Sequence, residues 1–248
     1  MKELIKDTIR KSLNALHLDL TKNLKYDRLT KNVIAKALKK NSNAIDVGCH
    51  KGEILDLILR HAPSGKHFAF EPIPDFYNSL QLKYAGRCEV FPFALSDRQG
   101  ETTFNYVKNA PAYSGIKKRK YAVANPDVEE LRVKVETLDH VIPADIKIDF
   151  LKIDVEGGEF GVLKGAQQLL KRNKPVVVFE CGLGASEFYG TKPDELYEFL
   201  ETQCRYNIFS LGNWLEKKPA FTREQFMECY NHNTEYYFVA EHKRLDNV

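Results

Sequence analysis

The chain has 248 residues, 43% of them hydrophobic, with 37 Lys and Arg set against 34 Asp and Glu for a formal charge of +3. That size and apolar content support a substantial buried core, and so small a net charge makes no case for a nucleic-acid partner, which has to be argued locally. No apolar run approaches the ~20 residues of a membrane-spanning helix, the charges recurring through MKELIKDTIRKSL leave no apolar signal segment, and five scattered cysteines without a Cys-x-x-Cys pair read as reduced thiols of a cytoplasmic protein.

In chain order, Leu4, Ile5, Ile9, Leu13 and Leu16 form one helical stripe, and Leu29, Val33, Ala37 and Leu38 form another. Residues 1–41 are therefore expected to be N-terminal helices over a sheet edge or the mouth of a site. AIDVGCHKG follows, an apolar run that passes at Asp46 into a turn built on Gly48 and Gly52. This is the strand, glycine loop and helix start at which open α/β sheets hold nucleotide-like cofactors. The spacing Asp-x-Gly-x-x-x-Gly differs from the dinucleotide pattern Gly-x-Gly-x-x-Gly and favours S-adenosylmethionine over NAD. Glycine lets the backbone approach the methionine part of that cofactor, and the strand-end carboxylate holds its ammonium group.

HFAFEP reads as a second buried strand that delivers Glu71, beside Pro72, about 20 residues beyond the loop, where a carboxylate accepts ribose hydroxyls. A third strand is expected over Val90–Leu95, its rim at Ala94 and Leu95 lining an adenine ring. Helices are expected near Glu53–His61, Asp75–Tyr84, Glu159–Lys171 and Asp194–Glu201. Gly100 and the alternating segments ETTFNYV and LRVKVETL predict an antiparallel pair around a long excursion, residues 108–130. It carries Tyr113, the run Lys117, Lys118, Arg119, Lys120, and Tyr121, and reads either as a lid over an acidic or sugar-rich acceptor or as a solvated basic loop.

In IDFLKIDVEGGE a two-residue period puts Lys152, Asp154 and Glu156 on one face of a central strand. A buried ammonium there needs a carboxylate partner, with Asp154, Asp46 and Glu180 as candidates. Asp154 and Glu156 are the candidate catalytic acids, able to take the proton of an acceptor hydroxyl, and Asp154 also borders the cofactor. Two carboxylates can bind Mg²⁺, but with no third ligand identified no metal residue is assigned. His50 and His140 are left out of the catalytic set, since a lone histidine is more often structural. KPVVVFECG predicts a strand buried on both faces, YNIFSL and TEYYFVAEH complete seven main strands, and Thr222-Arg-Glu-Gln225 is a capping box.

Taken together, AIDVGCHKG, FAFEP, FALSDRQG, VETLDHV and above all LKIDVEGGEFGVLKGA resemble the FkbM-like family of S-adenosylmethionine-dependent methyltransferases, in order from Tyr26 to Glu180. The resemblance implies a Rossmann-like class I α/β fold: a mostly parallel seven-stranded sheet with helices on both faces, an N-terminal helical segment and an inserted antiparallel pair, all in one domain over residues 1–248. It implies methylation of a hydroxyl on a small molecule, glycan or glycolipid. Carried over, Asp46, Gly48 and Gly52 match the methionine-end loop, Glu71 the ribose-binding acid, and Asp154 and Glu156 the acidic motif beside the transferred methyl. The alternatives are an RNA or protein methyltransferase, for which residues 117–120 are the only local support, and a non-catalytic binding module, against which the intact acids and glycines argue. An NAD-dependent dehydrogenase is a weaker fourth.

Overall fold

The computed structural model describes residues 22–121 and 123–243, so the first helical stripe, Leu4–Leu16, lies outside the described residues. The strands are β1 (Ala44–Val47), β2 (His67–Phe70), β3 (Glu89–Phe91), β4 (Phe93–Leu95), β5 (Gly100–Val107), β6 (Val128–Glu136), β7 (Phe150–Ile153), β8 (Val176–Glu180), β9 (Tyr206–Ser210) and β10 (Tyr237–His242). Seven of them form one sheet in the order β3-β2-β1-β7-β8-β10-β9. The first five run parallel, and β10 enters antiparallel between β8 and β9. Order reverses between β1 and β7, the kind of crevice in which α/β sheets bind ligands at the carboxyl ends of their strands.

Every residue of β1, β2 and β7 is buried, so apolar side chains occupy both faces of these segments, with Asp46, His67 and Lys152 the buried polar exceptions. On one face Val33 and Ile34 of the helix Lys22–Ala37 and Ile58 of the helix Glu53–His61 pack on Phe150 and Val178. On the other, Leu163, Leu169 and Leu200 pack on Ile45, Leu151 and Val177. The expected second N-terminal helix is thus present, and its Tyr26 reaches the crevice.

The structure departs from the sequence reading in four places. The expected strand Val90–Leu95 is cut at Pro92, which has no N–H to extend a ladder. β3 stays on the sheet edge, while β4 joins a second sheet in the order β4-β6-β5, in which β5 and β6 form the expected antiparallel pair. The expected helix Glu159–Lys171 is two helices, Glu159–Lys164 and Gln167–Asn173. They part at Gly165, where a Cβ would come 2.1 Å from the Ser96 carbonyl oxygen, and the Asp139 carboxylate accepts from the Gln168 and Leu169 N–H groups at 2.9 and 2.7 Å, capping the second from outside. The helix expected over Asp194–Glu201 spans Pro193–Glu198 and then widens into a π turn, Phe199–Gln203. Finally, β7 ends at Ile153, so Asp154 and Glu156 follow the strand rather than share its face, and Glu156 turns into the left-handed region at φ 59°.

Gly48 makes that junction possible. Its φ is +74°, and a Cβ there would lie 1.9 Å from the Asp154 carbonyl oxygen. Gly48→Ala combines left-handed strain of about 1–2 kcal/mol with overpacking of about 1–3 kcal/mol. A loss of about 2–5 kcal/mol in urea denaturation is expected, and an unchanged midpoint would show that the two loops are not locked together.

Candidate active site

The carboxyl ends of β1, β2, β7 and β8 open into a cavity of about 730 Å³, within the usual size of ligand pockets, ~300–1,000 Å³. Asp46, Gly48, Glu71, Pro72, Ala94, Leu95, Asp154 and Glu156 all line it. Gly52 does not: at φ +81° it is the N-cap of the helix Glu53–His61 and packs under Tyr84.

Asp46 is fully buried, and neither carboxylate oxygen has a hydrogen-bond partner. Burial pushes its pKa up to about 6, with Lys152 pulling down and Asp154 pushing up. Glu71 is also buried, at 3% exposure. Its Oε2 accepts from the His50 N–H and its Oε1 from the Ile73 N–H, both at 2.9 Å, so it ties the β1 loop to the β2 loop. Each oxygen keeps lone-pair capacity. Burial raises this carboxyl to about 7, against the pull of the two N–H groups.

Of the three candidate partners for Lys152, Asp154 is the one that bonds it, at 2.9 Å. The Tyr237 hydroxyl donates to the same Oδ2 at 2.8 Å. Burial opposes the Asp154 charge, but Lys152 and Tyr237 outweigh it and hold the pKa below the usual carboxylate range. Asp154 is therefore a fixed, poorly basic anion.

Glu156 pairs with Arg119, which sequence reasoning had counted as one of four equivalent loop cations. The excursion is pinned across the cavity by a bridge between Asn105 and Gly115, by Ser114 Oγ accepting from the Val107 N–H, and by the Lys117 N–H donating to the Tyr189 hydroxyl. Thus held, it turns Arg119 inward, over the Tyr113 ring at 4.8 Å, with its side chain only 8% exposed. Lys118 faces out and pairs with Glu130 at 2.6 Å. Burial and the charge of Asp154 push the Glu156 pKa up, against Arg119.

His50 also lines the cavity, its Nε2 buried without a partner and its pKa lowered by burial. His140 instead sits beside Glu136, 2.9 Å from its carboxylate and away from the cavity. The residues that sequence reasoning missed or left unassigned are Arg119, Tyr237, Glu159 and Glu180. Only the acid-rich IDVEGGE run hinted at Glu159.

The sheet order, with its crevice at the strand ends, is that of the class I methyltransferase fold. The FkbM methyltransferase domain matches residues 46–208, and the chain belongs to that family. It is 29% identical to the AMB antimetabolite synthetase AmbE of Pseudomonas aeruginosa, in an alignment covering 52% of this chain and 8% of that protein. The chain thus matches a small part of that relative. Among solved structures it resembles the methyltransferase FkbM from Methylobacillus flagellatus, with 15% identity, a TM-score of 0.49 and coverage of 82% of this chain and 44% of that one. It also resembles a TehB-like SAM-dependent methyltransferase from Corynebacterium glutamicum, with 12% identity, a TM-score of 0.47 and 96% of each chain covered. No helix among the described residues is long and apolar enough to cross a membrane.

Proposed function

We propose that the protein methylates a hydroxyl group on a small molecule, glycan or glycolipid, with S-adenosylmethionine as donor. The observation that carries this reading is the Asp46 carboxylate, buried in the cavity wall without a hydrogen-bond partner. A ligand ammonium would complete it, and the free lone pairs of Glu71 suit a diol. When bound, S-adenosylmethionine supplies a methyl carbon on a positively charged sulfur, which the acceptor oxygen displaces in line. In this reading Gly48 leaves room for the methionine part and Ala94 and Leu95 border the base. Asp154 orients groups at the methyl end through its fixed charge, and Glu156 is the better proton acceptor, since burial raises its basicity once Arg119 is drawn away. The cavity walls exclude competing water.

Two of the four excursion cations already have carboxylate partners, which weakens the support for RNA as the acceptor. The five cysteines are all unpaired, which supports a cytoplasmic setting. Methyl-deuterated S-adenosylmethionine, incubated with the protein and a cell extract, is expected to yield a labelled methyl ether by mass spectrometry. Label on nitrogen or carbon would overturn O-methylation, and no transfer to any extract would favour the binding-module alternative.

A pH dependence follows. Free Asp46 titrates near about 6 and Glu71 near about 7, and a ligand ammonium and hydroxyls favour their ionised forms. Binding therefore lowers both pKa values and releases protons. Affinity for S-adenosylhomocysteine is expected to rise as pH increases through 6 to 7 and to level off above. Calorimetry in buffers of different ionisation enthalpy reads the proton release directly, and no release at pH 6 would mean that neither acid meets the ligand.

A further inference from the structure

Beside the Lys152–Asp154 pair three carboxylates converge. Asp154, Glu159 and Glu180 each bring one carboxylate oxygen within 4.8 Å of the other two. They arrive from separate elements: the loop after β7, the first turn of the helix Glu159–Lys164 and the last residue of β8. Acidic groups that merely share a surface stay solvated, but these are largely withdrawn from water. Glu159 is 1% exposed. Its Oε1 accepts from the Val155 and Gly157 N–H groups at 2.9 and 3.2 Å, and its Oε2 has no partner. The Glu180 side chain forms no hydrogen bond or ion pair among the described residues, although its backbone pairs with β10. Both bonds to Asp154, from Lys152 and from Tyr237, fall on Oδ2 and leave Oδ1 to the cluster. Among the described residues Lys152 is the one cation bonded to a member of the trio, and Arg119 pairs with Glu156 instead. Three converging carboxylates around one bonded ammonium can all stay ionised in a protein interior only with a further cation, and otherwise take up protons.

We propose that Asp154, Glu159 and Glu180 form a binding site for a hard divalent cation of the Mg²⁺, Mn²⁺ or Ca²⁺ class. An all-oxygen donor set without sulfur or imidazole suits these ions. Their oxygen ligands, about 2.0–2.6 Å from the metal, lie roughly 3–5 Å apart, in keeping with the observed spread. Asp154 and Glu180 line the cavity while Glu159 stands behind them, so the remaining coordination positions face the space for the acceptor. The inference rests on the reading of this cavity as the methyl-transfer site and narrows the acceptor to one that offers a hydroxyl, alone or beside a second oxygen donor. A cation-bound hydroxyl gives up its proton more readily. Glu156, one residue before the glycine pair, is not a ligand in this arrangement, unlike the Asp154–Glu156 pair weighed from the sequence.

Mn²⁺ titrated into the full chain without cofactor, followed by electron paramagnetic resonance, tests the site. One saturable ion per chain is expected. Glu180→Gln, which has no hydrogen bond to lose, is expected to weaken it by roughly tenfold or more, since affinity follows ligand charge. Glu156→Gln is expected to change it by less than about threefold. Thermal unfolding checks that each variant folds, and the wild-type titration needs no variant at all. Absence of saturable binding at millimolar Mn²⁺, or wild-type binding in Glu180→Gln, would overturn the site. Calorimetry with S-adenosylhomocysteine on the same samples keeps the two readings apart: a chain that binds S-adenosylhomocysteine but not Mn²⁺ refutes the cation site alone.

Discussion

Lys152→Met is expected to destabilise the folded protein by about 3–5 kcal/mol, the usual cost of removing one partner from a buried ion pair. Lys152 is 5% exposed and sits in register with Asp46 across the β1–β7 pairing. Its ammonium bonds Asp154 directly and is the nearest compensation for Asp46, which has no hydrogen bond. Burial works against the Lys152 charge, yet Asp154 and Asp46 together hold its pKa above the ordinary lysine value. Removing it strands the buried Asp46 carboxylate and the part-buried Asp154 at once. Asp154→Asn should be milder because Lys152 keeps Asp46, and combining the two changes should recover part of the loss. Urea denaturation of the three variants measures this, and an undiminished midpoint in Lys152→Met would mean that water, not Lys152, balances these acids.

Glu71→Gln is expected to reduce affinity for S-adenosylhomocysteine by about 10-fold to 10²-fold. A hydrogen bond to a charged acceptor is worth about 1.5–3 kcal/mol, and the amide replaces one accepting oxygen with a donor that faces a backbone N–H. Gln preserves the shape of the link between the His50 and Ile73 N–H groups on one side. Calorimetry paired with thermal unfolding separates binding from folding. Wild-type affinity in a variant of unchanged stability would move the ribose away from Glu71.

The strand ends were legible because they depend on local chemistry. β1, β2 and β7 are mostly apolar segments with an acid at or just past the end, Asp46 inside β1 and Glu71 and Asp154 directly after β2 and β7, and buried parallel strands leave that mark whatever surrounds them. The need for a partner at Lys152 was equally legible, since a buried ammonium is costly in any fold. The convergence of Glu159 and Glu180 on Asp154 was not, because it depends on β8 lying beside β7 and on a helix starting at Glu159. Arg119 was hidden for a different reason. Lys117, Lys118, Arg119 and Lys120 are chemically alike, and only the anchoring of Lys117 to Tyr189 and the pocket beside Glu156 turn one of them inward. Likewise Gly165 alone did not announce a helix break, because the decisive contact is with Ser96, far away in the chain.

The most direct test of the cofactor site is a crystal structure of the protein with S-adenosylhomocysteine bound. The ligand is expected in the cavity at the ends of β1, β2 and β7, with its ammonium group on Asp46 and its ribose hydroxyls on Glu71. A ligand found elsewhere, or in that cavity with neither acid touching it, would contradict the account.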